Sequence, residues 1–182
     1  MTEDAERRGK GLWRIAVWGG AGALLLAPLV AVRFTDAVNW TGSDFAIFGV
    51  MLAVPLAILE LTLRATGNLA YRAAVVIALG GAFLMTWANL AVGLVGDENN
   101  PLNLMFFGVL GVGLAGAVVA GFAAGGLARA MAAMAVAQGL AGLAALIAGH
   151  VTIVLTGIFV LVWLASAGLF HKAARQQGAA PA

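Results

Sequence analysis

The sequence predicts an all-α fold, a polytopic membrane bundle of six transmembrane helices. Three observations predict it. The 182 residues are 63% hydrophobic and only 10% charged, whereas a soluble domain is nearer half apolar and a quarter charged. Mean hydropathy is +1.01, so a water-soluble fold of this size would lack the polar groups to cover its surface. The apolar residues fall into six continuous runs of about the 20 residues that a helix needs to cross a bilayer. A membrane β-barrel would instead show shorter segments that alternate in polarity.

Residues 1–11 are polar and mixed in charge and are read as a cytoplasmic tail. The first span covers about 12–32. A cleavable signal peptide competes with it, because a basic segment precedes an apolar one. The leader also carries Glu3, Asp4 and Glu6, and the run is long enough to span, so a retained helix is expected. The next spans cover about 45–63, 73–95, 102–124, 127–148 and 151–170, and 171–182 forms a second cytoplasmic tail. The fifth span is the weakest by composition, being rich in Ala and Gly with Arg129 and Gln138 inside it.

Six spans place four segments on one side of the membrane. These hold Arg7, Arg8, Lys10, Arg14, Arg64, Arg72, Arg129, Lys172 and Arg175, and the other side holds only Arg33. The positive-inside rule puts the first group, and both termini, in the cytoplasm. The spacing also suggests three parallel two-helix repeats. Arg14, Arg72 and Arg129 enter spans one, three and five, and Phe48-Gly49-Val50 matches Phe107-Gly108-Val109 with Asp44 aligned to Asn103. An Arg at each inner boundary is also what topology alone demands, so chance is the competing explanation.

The candidate site residues lie in two places. The outer loops carry Asp36, Asp44, Asp97 and Glu98 among several amides. Hard cations favour such oxygens, but no calcium-loop spacing is present, and solvation or capping explains the same residues. Asp44 and Asn103 stand where helix N-caps would be. Inside the spans the polar candidates are Asn89, which shares a helical face with Thr86 and Gly93, and Gln138 near the middle of span five. An amide there is expected to bond a neighbouring helix. Glu60 and Arg64 are four apart and are expected to pair. Trp13, Trp18, Trp40 and Trp163 are expected in the interfacial belts.

Pro28 and Pro55 interrupt spans one and two and could free carbonyls, as in the broken helices of transporters. Gly113, Ala117, Gly121 and Gly125 recur every four residues in span four and predict a seam of close helix packing, within the chain or toward a homo-oligomeric or other membrane partner.

Several activities are excluded. There is no cysteine, hence no disulfide, thiolate site or cysteine nucleophile. Net charge is +2 without a basic stripe interleaved with aromatics, so no nucleic-acid partner is expected. His150 and His171 fall on opposite faces and cannot share one haem. Neither lysine is mid-span, no HExxH, GxSxG or Walker sequence occurs, and no span has a central carboxylate for proton relay. No cofactor and no metal are expected, and no nucleophile, base and orienting group assemble on one face.

At Val38-Asn39-Trp40-Thr41 with Asp44-Phe45, and at Glu98-Asn99-Asn100-Pro101 with Asn103-Leu104-Met105, the chain resembles small bacterial six-span integral membrane proteins of unknown activity. The resemblance covers most of the chain and implies a bacterial inner-membrane protein. It brings no catalytic residue or cofactor with it. The expected function is a non-catalytic accessory or scaffold protein. The alternative is a small transporter or channel for a neutral solute or cation, suggested by the repeat, the prolines and Gln138.

Overall fold

The computed structural model describes residues 2–31, 34 and 40–179, with side chains from Ile15 onward. The fold is all-α. Its helices are α1 (Thr2–Ala31), α2 (Gly42–Ala65), α3 (Leu69–Ala91), α4 (Leu104–Val119), α5 (Ala124–Ile147) and α6 (Ile153–Gly178), with a short 3-10 turn, Pro101–Asn103, ahead of α4. Five elements are long and apolar enough to cross a bilayer: α2, α3, the 3-10 turn continued by α4, α5 and α6. A shorter apolar helical stretch, Ile15–Val30, belongs to α1. The chain is therefore a multi-pass helical membrane protein, and its apolar spans contact lipid.

Two compact units divide at Ile58 and Leu59. The first holds α1 and most of α2. Neither Pro28 nor Pro55 ends its helix, as neighbouring groups in membrane helices often tolerate. A reciprocal cap starts α2. Thr41 N–H and Thr41 Oγ1–H both donate to Asp44 Oδ2, at 2.6 and 2.7 Å, while Asp44 N–H donates to Thr41 O at 3.1 Å. Asp44 is thus the third residue of the first turn answering a Thr cap, not the cap itself. Trp40 packs edge-on against Phe45 and Phe48.

The second unit holds the end of α2 and the helices α3 to α6. In space α4 packs on α5, α5 on α6, and α6 on α3, with a lighter contact between α3 and α4. The core is Met85, Phe106, Val109, Met131, Met134, Phe159, Trp163 and Phe170 with small residues between them. Helix α5, read from the sequence as the least secure span, is the central one: 44% of its apolar window is buried, against 28% or less in the others. A helix that faces protein on both sides does not need a strongly apolar surface, and Ala and Gly let its neighbours come close.

The packing seam exists, but its membership differs from the four-residue ladder. Helix α4 stops at Val119. Gly121 lies in the following turn with φ +53°, beside Phe122 at φ +60°, and Gly125 already belongs to α5. Two left-handed residues in succession reverse the chain, and this turn ends the helix. The close approach is made by Gly113, where an added Cβ would collide with Met134 Sδ, and by Gly116, where it would lie 2.6 Å from Ala130 Cβ. The partner is α5 of the same chain. Gly81 makes the equivalent approach to α6, against Val162 and Trp163, and Gly142 faces Thr156.

Trp163 is fully buried, not interfacial. Helix α6 begins at Ile153 and runs to Gly178, so position 163 is near its middle. At the same end as the 120–123 turn, Tyr71 ties the bundle together. Its hydroxyl donates to Phe122 O at 2.8 Å, and its ring meets Phe170 edge-on. Asn68 caps α3 by accepting from Tyr71 N–H at 2.9 Å and donates to Gln176 Oε1 at 3.0 Å. Arg72 closes the C-terminus of α2, donating to Leu63 O and Thr66 O at 2.7 Å each. Arg64 and Glu60 form the expected ion pair.

Candidate functional site

The polar groups of the second unit collect in three places. The first is the loop between α3 and α4. Helix α3 stops at Ala91, earlier than the apolar run ends, because the chain turns at Gly93 (φ +75°) and again at Gly96 (φ +70°). A Cβ on Gly93 would meet Asp97 O and Asn103 Nδ2, so only glycine fits. Leu94 and Val95 leave the helix yet remain buried, and their amides need partners. Asn103 supplies them. Its Oδ1 accepts from Leu94 N–H and Val95 N–H at 2.9 Å each, and its Nδ2 donates to Asp97 O at 2.6 Å. Asn89 Nδ2 donates to Asn103 O at 3.0 Å. The role of Asn103 is therefore to clamp this loop; its side chain does not cap α4.

The acids of that loop serve its turns. Asp97 Oδ1 accepts from Asn99 N–H at 2.9 Å, and Glu98 Oε1 from Asn99 Nδ2 at 3.3 Å. Asn100 Oδ1 accepts from Leu102 N–H at 3.0 Å, and its Nδ2 lies 3.5 Å from His150 Nε2, which links this loop to the one between α5 and α6. Asp36 lies outside the described residues. Asp44 belongs to the first unit. Among the described residues no three His, Asp or Glu side chains group to hold a metal ion.

The second place is the bundle interior. Gln138 is fully buried on α5, and neither its Nε2 nor its Oε1 has a hydrogen-bond partner. The expected interhelical bond is absent. Its helical neighbours Met134, Ala135, Ala141 and Gly142 are all buried, so the amide is enclosed by apolar groups and small residues. Asn89 Oδ1 and Trp163 Nε1 are likewise unpartnered. Ser166 is satisfied, donating to Ala74 O at 3.0 Å and joining α6 to α3.

The third place was not singled out by sequence, where its residues served only to orient the spans. One shallow groove runs between the start of α5 and the end of α6, and a second adjoins it on the last turns of α6; both include Gly168 and His171. Arg129 lines one, and Lys172 and Arg175 line the other. His150 and His171 lie at opposite ends of the bundle, His150 just before α6 and His171 in its last third.

Comparison with known proteins returns no matching family model, no matching curated protein and no matching solved structure, so the chain is identified as a small multi-span helical membrane protein and as no particular family.

Proposed function

We propose that this chain is a non-catalytic accessory or scaffold protein of a bacterial cytoplasmic membrane, with both termini in the cytoplasm, that acts by associating with a membrane protein or with a second copy of itself. The observation that carries the reading is how the polar groups at the outer end are used. Asn89, Asn103, Asp97 and Asn100 all bond within the α3–α4 loop, so they serve the fold. The glycine approaches of α4 are filled by α5, which directs association to other faces. Helix α2 offers one: its apolar window is only 11% buried, and Ile47, Val50, Val54 and Leu61 stand exposed at helical spacing.

One observation favours transport as a second reading. The Gln138 amide is enclosed and unpartnered near the middle of its helix, where a solute or cation recognised by amide oxygens would bind. Two measurements separate the readings. Crosslinking in native membranes followed by purification is expected to recover a stoichiometric membrane partner or a second copy. Proteoliposomes containing the purified protein are expected to show no solute flux above empty vesicles. Protein-dependent uptake that Gln138→Leu abolishes would replace the accessory reading with transport.

A further inference from the structure

Positive charge accumulates at one end of the second unit without internal compensation. No Asp or Glu occurs after Glu98. Arg64 is matched by Glu60 and Arg72 by backbone carbonyls. Arg129, Lys172 and Arg175 are exposed and, among the described residues, have no carboxylate partner. Arg129 lines the groove between α5 and α6, Lys172 and Arg175 line the adjoining groove on α6, and His171 belongs to both.

The depth of these cations follows from helix lengths. About 20 residues cross the hydrocarbon core. Helix α5 ends at Ile147 and α6 starts at Ile153, so their shared end fixes one edge of the core. Counting one span back along α5 reaches about Ala128, and one span forward along α6 reaches about Lys172. Arg129 and the 171–175 segment therefore reach headgroup level together. The floor of the Arg129 groove is apolar and low, formed by Ala128, Ala132, Ala167 and Gly168, with Leu164 deeper, and it meets the Lys172 and Arg175 groove at Gly168 and His171. No side chain caps the first turn of α5, so the positive end of that helix adds to the field.

We propose that these two adjoining grooves together bind an anionic phospholipid, with the headgroup phosphate held where they meet by Arg129, Lys172 and Arg175 and an acyl chain lying over the alanine and glycine floor. Charge complementarity selects the occupant. The floor needs hydrocarbon, the rim needs an anion, and basic pockets between membrane helices suit such headgroups.

The test uses the full chain in nanodiscs of phosphatidylcholine doped with phosphatidylglycerol, and native mass spectrometry of the protein released from them. Wild type is expected to retain phosphatidylglycerol over phosphatidylcholine. Combined Arg129→Gln, Lys172→Gln and Arg175→Gln is expected to cut that retention by about tenfold or more, as each basic group near the surface contributes a several-fold factor. Arg64→Gln, at the same end but outside the grooves, should leave it unchanged. Gly168→Leu keeps every cation and fills the floor; an added Cβ there meets nothing within 4 Å, so the fold is preserved and retention should fall. Inorganic phosphate at millimolar concentration should not displace the lipid. Equal retention of the two lipids, a triple variant that still selects phosphatidylglycerol, an Arg64→Gln loss as large as the triple variant's, undiminished binding by Gly168→Leu, or displacement by free phosphate would overturn the proposal.

Discussion

Replacing Gln138 with leucine tests the bundle interior directly, and the structure fixes the sign. Leucine keeps most of the bulk and deletes two polar atoms. A hydrogen-bonded glutamine would lose its bond, and the protein would be weakened. Here both Nε2 and Oε1 are buried without partners. An unpaired buried donor or acceptor costs about 1–3 kcal/mol relative to water, so two would give about 2–6 kcal/mol. The unfolded helices remain in lipid, where the amide is also poorly solvated, and that common cost cancels in part. Gln138→Leu is therefore expected to stabilise the protein by about 1–2 kcal/mol. Reversible unfolding in mixed micelles, followed by tryptophan fluorescence, measures it. Destabilisation by more than about 1 kcal/mol would show that the amide is paired in the membrane, by an internal water or a bound solute, and would refute the reasoning.

Asn103→Ala removes three side-chain hydrogen bonds and strands the buried amides of Leu94 and Val95; the same assay should show a loss of about 3–5 kcal/mol, and a loss below about 1 kcal/mol would deny the clamp. Gly113→Leu drives a side chain into Met134 and should cost about 1–3 kcal/mol or prevent folding. Gly121→Ala meets open space and should cost only about 1 kcal/mol, for its left-handed backbone; equal losses at the two positions would restore the four-residue ladder. Fusions to a reporter active only in the periplasm are expected to be silent at Gly178 and active near Gly42 and Asn99; activity at Gly178 would reverse the topology.

The sequence by itself determined the solvent and the helical class, and five of its six expected runs coincide with helices long and apolar enough to span, the first being a shorter apolar stretch, because lipid forces every backbone amide to pair within its own helix and leaves a run of about 20 apolar residues as the signature. Local pairs were equally legible. Glu60 and Arg64 are one turn apart on α2, and the capping role near Asp44 was placed within three residues of its true centre at Thr41. What sequence periodicity missed depended on backbone turns and on partners distant in the chain. The ladder from Gly113 to Gly125 assumed a helix that the left-handed residues Gly121 and Phe122 end. Leu94 and Val95 extended an apolar run although Gly93 had already ended the helix, since burial in a loop and burial in a span look alike in hydropathy. Asn103 matched Asp44 in alignment but works differently, because its partners come from the preceding loop. The tertiary structure alone decided that α5 is central, that Trp163 is core, that Gln138 is unpaired, and that the groove of Arg129 adjoins that of Lys172 and Arg175. Each of these depends on which helices are neighbours, and in a membrane that choice is made by steric fit between small and large side chains, which leaves almost no trace in the hydropathy of any one segment.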